Sequence, residues 1–228
     1  MTFECFVWSS NSENQALEGI EVVGSEIRAI ALFLEKKVLK KIRNGTPGLR
    51  LYLVDKKENE HLDKPIKGVI SWVNFFMYFD FERYLNLPDN LEKKKMIVAM
   101  LKEGAERASE IMKWDIEPFN EAFHQIETLN YSFVNTSTRK RFKGVKRYVH
   151  LERVVDIGFY NFYLVVKEKD EIISRHKVVT LNQYYNIFFE SNRIISEMRW
   201  EDENTFAILG KKGHLERIRF EYKFDTDT

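Results

Sequence analysis

Three features of this 228-residue chain predict an α+β fold in which a predominantly antiparallel sheet, with a C-terminal β-meander, packs against a central pair of amphipathic helices and an N-terminal helix. Two one-sided helical patterns lie between Leu87 and Leu129. An apolar, β-branched and aromatic run from Ile66 to Phe79 precedes them, and beyond Tyr131 the chain becomes a series of short alternating runs, each bounded by turn residues. Periodicities of about 3.6 and 2 distinguish the two kinds of segment.

Taken in order, Thr2 to Trp8 reads as a strand and Leu17 to Val23 as a second short strand. Ser25 is placed to cap a helix whose apolar positions Ile27, Ile30, Ala31, Leu34, Val38 and Ile42 run to a stop at Asn44-Gly45. Lysines and Arg43 crowd its last turns, where positive charge complements the carbonyl end of the dipole. Leu49 to Val54 is a strand, and the run from Ile66 to Phe79, apolar on both alternating faces, predicts a strand buried on both sides in mid-sheet. Asp89 and Glu92 have the spacing of a capping box ahead of the stripe Leu91, Val98, Leu101, Ala105, Ala108 and Met112, and Glu103 pairs with Arg107 one turn on. A second helix starts near Asp115, takes Pro118 in its first turn, and presents Ile116, Phe119, Phe123, Ile126 and Leu129 on one side. Strands follow at 131–135, 146–156, 160–167, 171–180, 184–189, 193–200, 205–209 and 215–224. Loops this short between consecutive strands force antiparallel pairing. The pattern favours one domain over residues 1–228, or two closely packed lobes, 1–130 with mixed strands and helices and 131–228 with antiparallel strands.

Thirty-six basic and 35 acidic side chains leave a net charge of +1, so an anionic partner has to be met by a local patch. Ten glycines and four prolines argue against glycine-rich phosphate loops and long linkers. The single cysteine, Cys5, makes no internal disulfide, and the amino terminus reads as a strand and not as a signal peptide. The most apolar segment, Val69 to Phe79, is about half of the roughly 20 residues that span a bilayer. These features predict a cytoplasmic, soluble protein of bacterial type with no membrane partner.

The densest local charge is Arg139-Lys140-Arg141-Phe142-Lys143-Gly144-Val145-Lys146-Arg147, six cations in nine positions, with Tyr131, Phe133 and Tyr148 nearby. Its candidate binding residues are Arg139, Lys140, Arg141, Phe142, Lys143, Lys146 and Arg147. Such a loop suits an acidic protein surface, or phosphates with aromatic rings stacking on bases, and it also reads as a plain solvated loop. Asp80 and Glu82 are expected on one side of a strand end, where paired carboxylates hold a divalent cation or guard an edge. Glu221-Tyr222-Lys223, preceded by Asp202, resembles the Asp…Glu-x-Lys arrangement of the restriction-endonuclease-like nucleases. That resemblance implies carboxylates on a metal and a lysine positioning water; strand alternation explains the same charges as a solvent face. The five histidines form no metal pattern, and Walker, Gly-x-Gly-x-x-Gly and Gly-x-Ser-x-Gly motifs are missing.

The expected function is therefore a non-enzymatic, intracellular protein-binding module of the toxin-neutralising immunity type, with no cofactor, metal ligand or catalytic residue assigned. Its expected partner is another protein with an acidic surface. RNA or single-stranded nucleic-acid binding through the basic and aromatic loop is the alternative, and a metal-dependent nuclease-like hydrolase is the third reading.

Overall fold

The computed structural model describes residues 3–7, 17–38, 48–63, 72–136, 139–141, 146–182, 195–202 and 205–210. It is an α+β fold whose sheets are mostly antiparallel. The chain divides into two compact units, Met1–Phe133 with Val155–Gly158, and Val134–Val154 with Phe159–Thr228.

The first unit is built on a four-stranded sheet. Strand β1 (Phe3–Val7) and β2 (Gly48–Val54) are parallel, and helix α1 (Leu17–Val38) joins them. A parallel return needs a crossover of a dozen residues or more, which the 22 residues of α1 supply. The predicted strand from Leu17 to Val23 is thus the start of α1, and Ser25 lies inside the helix instead of capping it. The cause is that Val23, Ile27, Ile30, Ala31 and Leu34 form one continuous buried stripe, so packing overrides local β propensity.

Strand β4 (Trp72–Tyr78) pairs in parallel with β2, and β3 (His61–Asp63) pairs with it antiparallel on the other side. The order β1-β2-β4-β3 gives β4 two neighbours, as its apolar run predicts. Only one of its faces is fully buried, however: Val73, Phe75 and Met77 are inside, while Trp72, Asn74 and Phe76 are half-buried and Tyr78 is exposed. The earlier part of the predicted strand, 66–71, lies outside the described residues.

After the short helix α2 (Phe81–Leu85) come α3 (Asn90–Met112) and α4 (Glu117–Thr128). Asp89 caps α3 by accepting the Glu92 amide at 2.9 Å, and the Glu92 carboxylate takes the Lys95 ammonium at 2.6 Å. Arg107 reaches Glu103 at 3.2 Å, the expected i,i+4 pair. Gly104 lets α3 lie close on the sheet: a Cβ there would stand 2.8 Å from Met77 Sδ and 2.9 Å from the Leu51 methyls. Helix α4 buries Phe119, Ala122, Phe123 and Ile126 and packs on α1 and α3; Leu129, expected on the same stripe, is its exposed C-cap.

The meander belongs to the second unit except at its Val155–Gly158 corner, which groups with the first. A sheet of order β5-β7-β8-β9 uses β5 (Phe133–Thr136), β7 (Arg147–Asp156), β8 (Phe159–Glu168) and β9 (Glu171–Asn182), and β6 (Lys140–Arg141) also pairs with β7. Two-residue turns at Ile157-Gly158, with Gly158 at φ 78°, and at Lys169-Asp170 close the hairpins. Strands β10 (Ile195–Trp200) and β11 (Phe206–Gly210) form a separate antiparallel pair. The predicted strands at 184–189 and 215–224 lie outside the described residues. Among the described residues, no helix is long and apolar enough to cross a membrane.

Candidate functional site

The predicted basic segment forms half a hairpin. Lys140 pairs with Val149 and Arg141 with Tyr148, so β6 is fixed to β7 by backbone hydrogen bonds. Tyr148 is the pivot. Its ring is buried, and its hydroxyl donates to Asp170 Oδ1 at 2.7 Å. The Arg139 and Arg141 guanidinium carbons lie 4.7 and 5.7 Å from the ring centroid, within cation-π range. Arg139 also approaches Asp170 Oδ1 at 3.9 Å, with its side chain still 60% exposed. The bond to Asp170, followed by desolvation, pushes the Tyr148 phenol above its ordinary pKa. Trp200 of β10 donates its indole N–H to the Lys140 carbonyl at 3.0 Å, bracing β6 from another strand.

The structure divides the predicted binding residues by role. Arg139, Lys140, Arg141 and Lys146 are exposed. Arg147 is half-buried and donates through Nε to Glu168 at 3.3 Å, a cross-strand ion pair on the hairpin. Phe142 and Lys143 lie outside the described residues. Phe133, proposed above as a stacking ring, has no exposed surface and packs edge-on against Phe33 at 5.2 Å.

A second cluster on the same sheet was not legible as a motif. His150 Nε2 lies 3.3 Å from Glu152 Oε1, Arg175 Nε donates to Glu152 Oε2 at 3.1 Å, and the guanidinium carbon stands 3.7 Å over the Tyr163 ring. His150 and Glu152 are two apart on β7 and so share a face, which the sequence does contain; Arg175 arrives from β9, which it does not. Among the described residues, the buried His150 Nδ1 has no hydrogen-bond partner. The outward face of the first unit's sheet also carries rings: Tyr52, Phe76 and His61 stack in series at 4.7 and 4.0 Å, and Arg50 lies 4.0 Å over Trp72. Both faces of Phe76 are thereby occupied by neighbouring rings, which makes a rigid ladder and leaves no slot for a planar guest.

The carboxylate candidates come apart. Asp80 is the N-cap of α2, accepting the Arg83 amide at 2.9 Å, and Glu82 is in the first turn of that helix, so the two do not end a strand side by side. The extended run stops at Tyr78 because Asp80 supplies a helix start. Asp202 is exposed beside the β10–β11 turn, and Glu221 and Lys223 lie outside the described residues. Among the described residues, no group of three metal-ligating side chains occurs. The most perturbed pair is buried instead: Tyr84 donates to Glu26 Oε2 at 2.7 Å. Burial pushes both groups above their ordinary pKa values, the Tyr84 bond partly offsetting this for Glu26 and adding to it for Tyr84. Comparison with protein-family models, with curated proteins and with solved structures finds no match.

Proposed function

We propose that this chain is a non-enzymatic protein-binding module, of the kind that neutralises a toxin as immunity proteins do, and that an acidic surface of its partner docks on Arg139, Lys140, Arg141 and Lys146. One observation carries the reading. The exposed Arg141, on the paired strand β6, and Arg139, just before it, lie over a tyrosine that is itself tied to Asp170, so cations that read as a solvated loop are pre-positioned. Holding long side chains in place before encounter reduces the entropy lost on binding and fixes the register of charge complementarity. An acidic protein is favoured over nucleic acid because, of the rings expected to stack on bases, Phe133 is buried and Tyr131 half-buried, while Phe142 lies outside the described residues.

The test uses the products of neighbouring genes as candidate partners. For a partner that binds the wild type, Arg139→Glu with Arg141→Glu weakens the complex by roughly ten- to a hundredfold, mainly through slower association, and added salt narrows the gap. A partner held equally well by the double variant would remove this surface from the account. Salt-sensitive affinity for generic single-stranded DNA or RNA, with no protein bound, would replace the acidic protein by phosphate.

A further inference from the structure

The turn beside the cationic strip is built against local preference. Lys169 and Asp170 both have positive φ, 49° and 72°, the pattern of a type I′ hairpin turn filled without glycine. Asp170 is anchored there by the Tyr148 hydroxyl, over whose ring Arg139 and Arg141 lie, and Arg139 approaches it at 3.9 Å. Immediately after the turn the ladder slips: Val166 pairs with Ser174, but Lys167 pairs with Ile172, which leaves Ile173 as an extra residue on β9. The slip breaks the alternation that would have turned neighbouring side chains to opposite faces. Ile172 and Ile173 consequently stand together in solvent, 56% and 47% exposed.

Among the described residues β9 is the last strand of its sheet, where a bulge often guards against edge pairing, and it shows what such a guard looks like. At its other slip the extra residue is Val178, and the neighbouring Lys177 is exposed. At the first slip an apolar pair is displayed where a charge would serve protection better. Lys167 stands across the ladder from Ile172, Lys169 is exposed and Arg139 approaches Asp170 at 3.9 Å, so cations border this pair alongside the exposed Asp170 and Glu171. An apolar centre with a charged rim is the anatomy of a protein interface, and bulky side chains at its centre carry most of the energy.

We infer that Ile172 and Ile173 form the apolar centre of the docking surface and that the partner segment is acidic with interspersed apolar side chains covering them. The inference rests on the binding role proposed above and adds what the partner must offer besides charge. It is tested with two synthetic peptides of equal length and equal glutamate count, one carrying leucines where the other carries serines. The wild type prefers the leucine peptide by roughly tenfold, since two half-exposed isoleucines amount to about one buried side chain. Ile172→Ser with Ile173→Ser abolishes that preference and leaves affinity for the serine peptide unchanged; because both side chains are exposed, the variant keeps its fold, which circular dichroism checks. Equal binding of the two peptides by the wild type, or a preference that survives in the double variant, overturns the apolar centre while leaving the cationic role standing. Binding of neither peptide, with capture of anionic phosphatidylserine vesicles or an oligonucleotide instead, overturns both.

Discussion

Each unit holds a tyrosine hydroxyl on a carboxylate at 2.7 Å, Tyr84 on Glu26 in the first and Tyr148 on Asp170 in the second, and the two bonds serve different ends. Glu26 is buried on α1, so its bond to Tyr84 of α2 ties two elements of the interior. The Asp170 side chain is 77% exposed, so its bond ties a surface turn to the strand that carries the arginines. A hydrogen bond of the same length is architecture in one place and presentation in the other, and the exposure of the acceptor decides which. A buried donor or acceptor left alone keeps its desolvation penalty, whereas an exposed one is resupplied by water.

That contrast orders the predictions. Glu26→Ala strands the buried Tyr84 hydroxyl and costs about 2–4 kcal/mol, combining the unsatisfied group with lost packing. Glu26→Gln keeps an acceptor and removes a buried charge, so at neutral pH its urea midpoint equals or exceeds that of the wild type. The pH dependence separates them further. Because the Glu26 pKa is raised in the fold, protonation favours the native state: its contribution is present below about pH 4.5 and is lost as pH rises through the raised value. The wild type therefore gains on Glu26→Gln as the pH falls, and a constant difference between pH 4 and 8 would show that the carboxylate is not desolvated.

Tyr148→Phe is the matching change in the second unit and costs less than Glu26→Ala, because water replaces the lost partner of Asp170. Its effect falls on binding, where Arg139 and the turn lose their shared anchor. If thermal melts showed Tyr148→Phe to be as damaging as Glu26→Ala, the distinction between the two bonds would collapse. The smallest effect expected is from Lys169→Gly, which relieves the left-handed strain and stabilises by roughly half a kcal/mol after the extra chain entropy of glycine is counted. A loss of stability there would mean that the Lys169 side chain makes a contact outweighing the strain.

Much of the meander was legible because its signals are local. Gly158 and the Lys169-Asp170 pair mark hairpin turns, and β7 to β9 begin and end within a residue or two of the boundaries that those turns and the alternation imply. Likewise the Asp89 cap and the Glu103–Arg107 pair are short-range features, readable from spacing alone. What escaped depends on partners distant in sequence. The start of α1 looked like a strand because the segment from Leu17 to Val23 combines short polar alternation with β-branched residues, and only the stripe that runs on from Val23 to Leu34 makes the whole a helix. The parallel pairing of β1 and β2 follows from that helix and was missed with it. In the candidate site, the sequence identified the cations but placed them on a loop; the tyrosine beneath them, the aspartate anchoring it and the bulge at Ile173 all depend on cross-strand register. Phe133 was misjudged for the same reason, since its burial comes from Phe33 a hundred residues earlier.

Hydrogen–deuterium exchange on the complex with the glutamate and leucine peptide addresses the central claim most directly, because it reads both units in one experiment. Slowed exchange confined to residues 139–149 and 169–175, with amides of the first unit's sheet unchanged, is the predicted result. Protection centred on β2 to β4, under the ring ladder of Tyr52, Phe76 and His61, with none on β6 or the β8–β9 turn, would contradict the account and move the docking surface to the first unit.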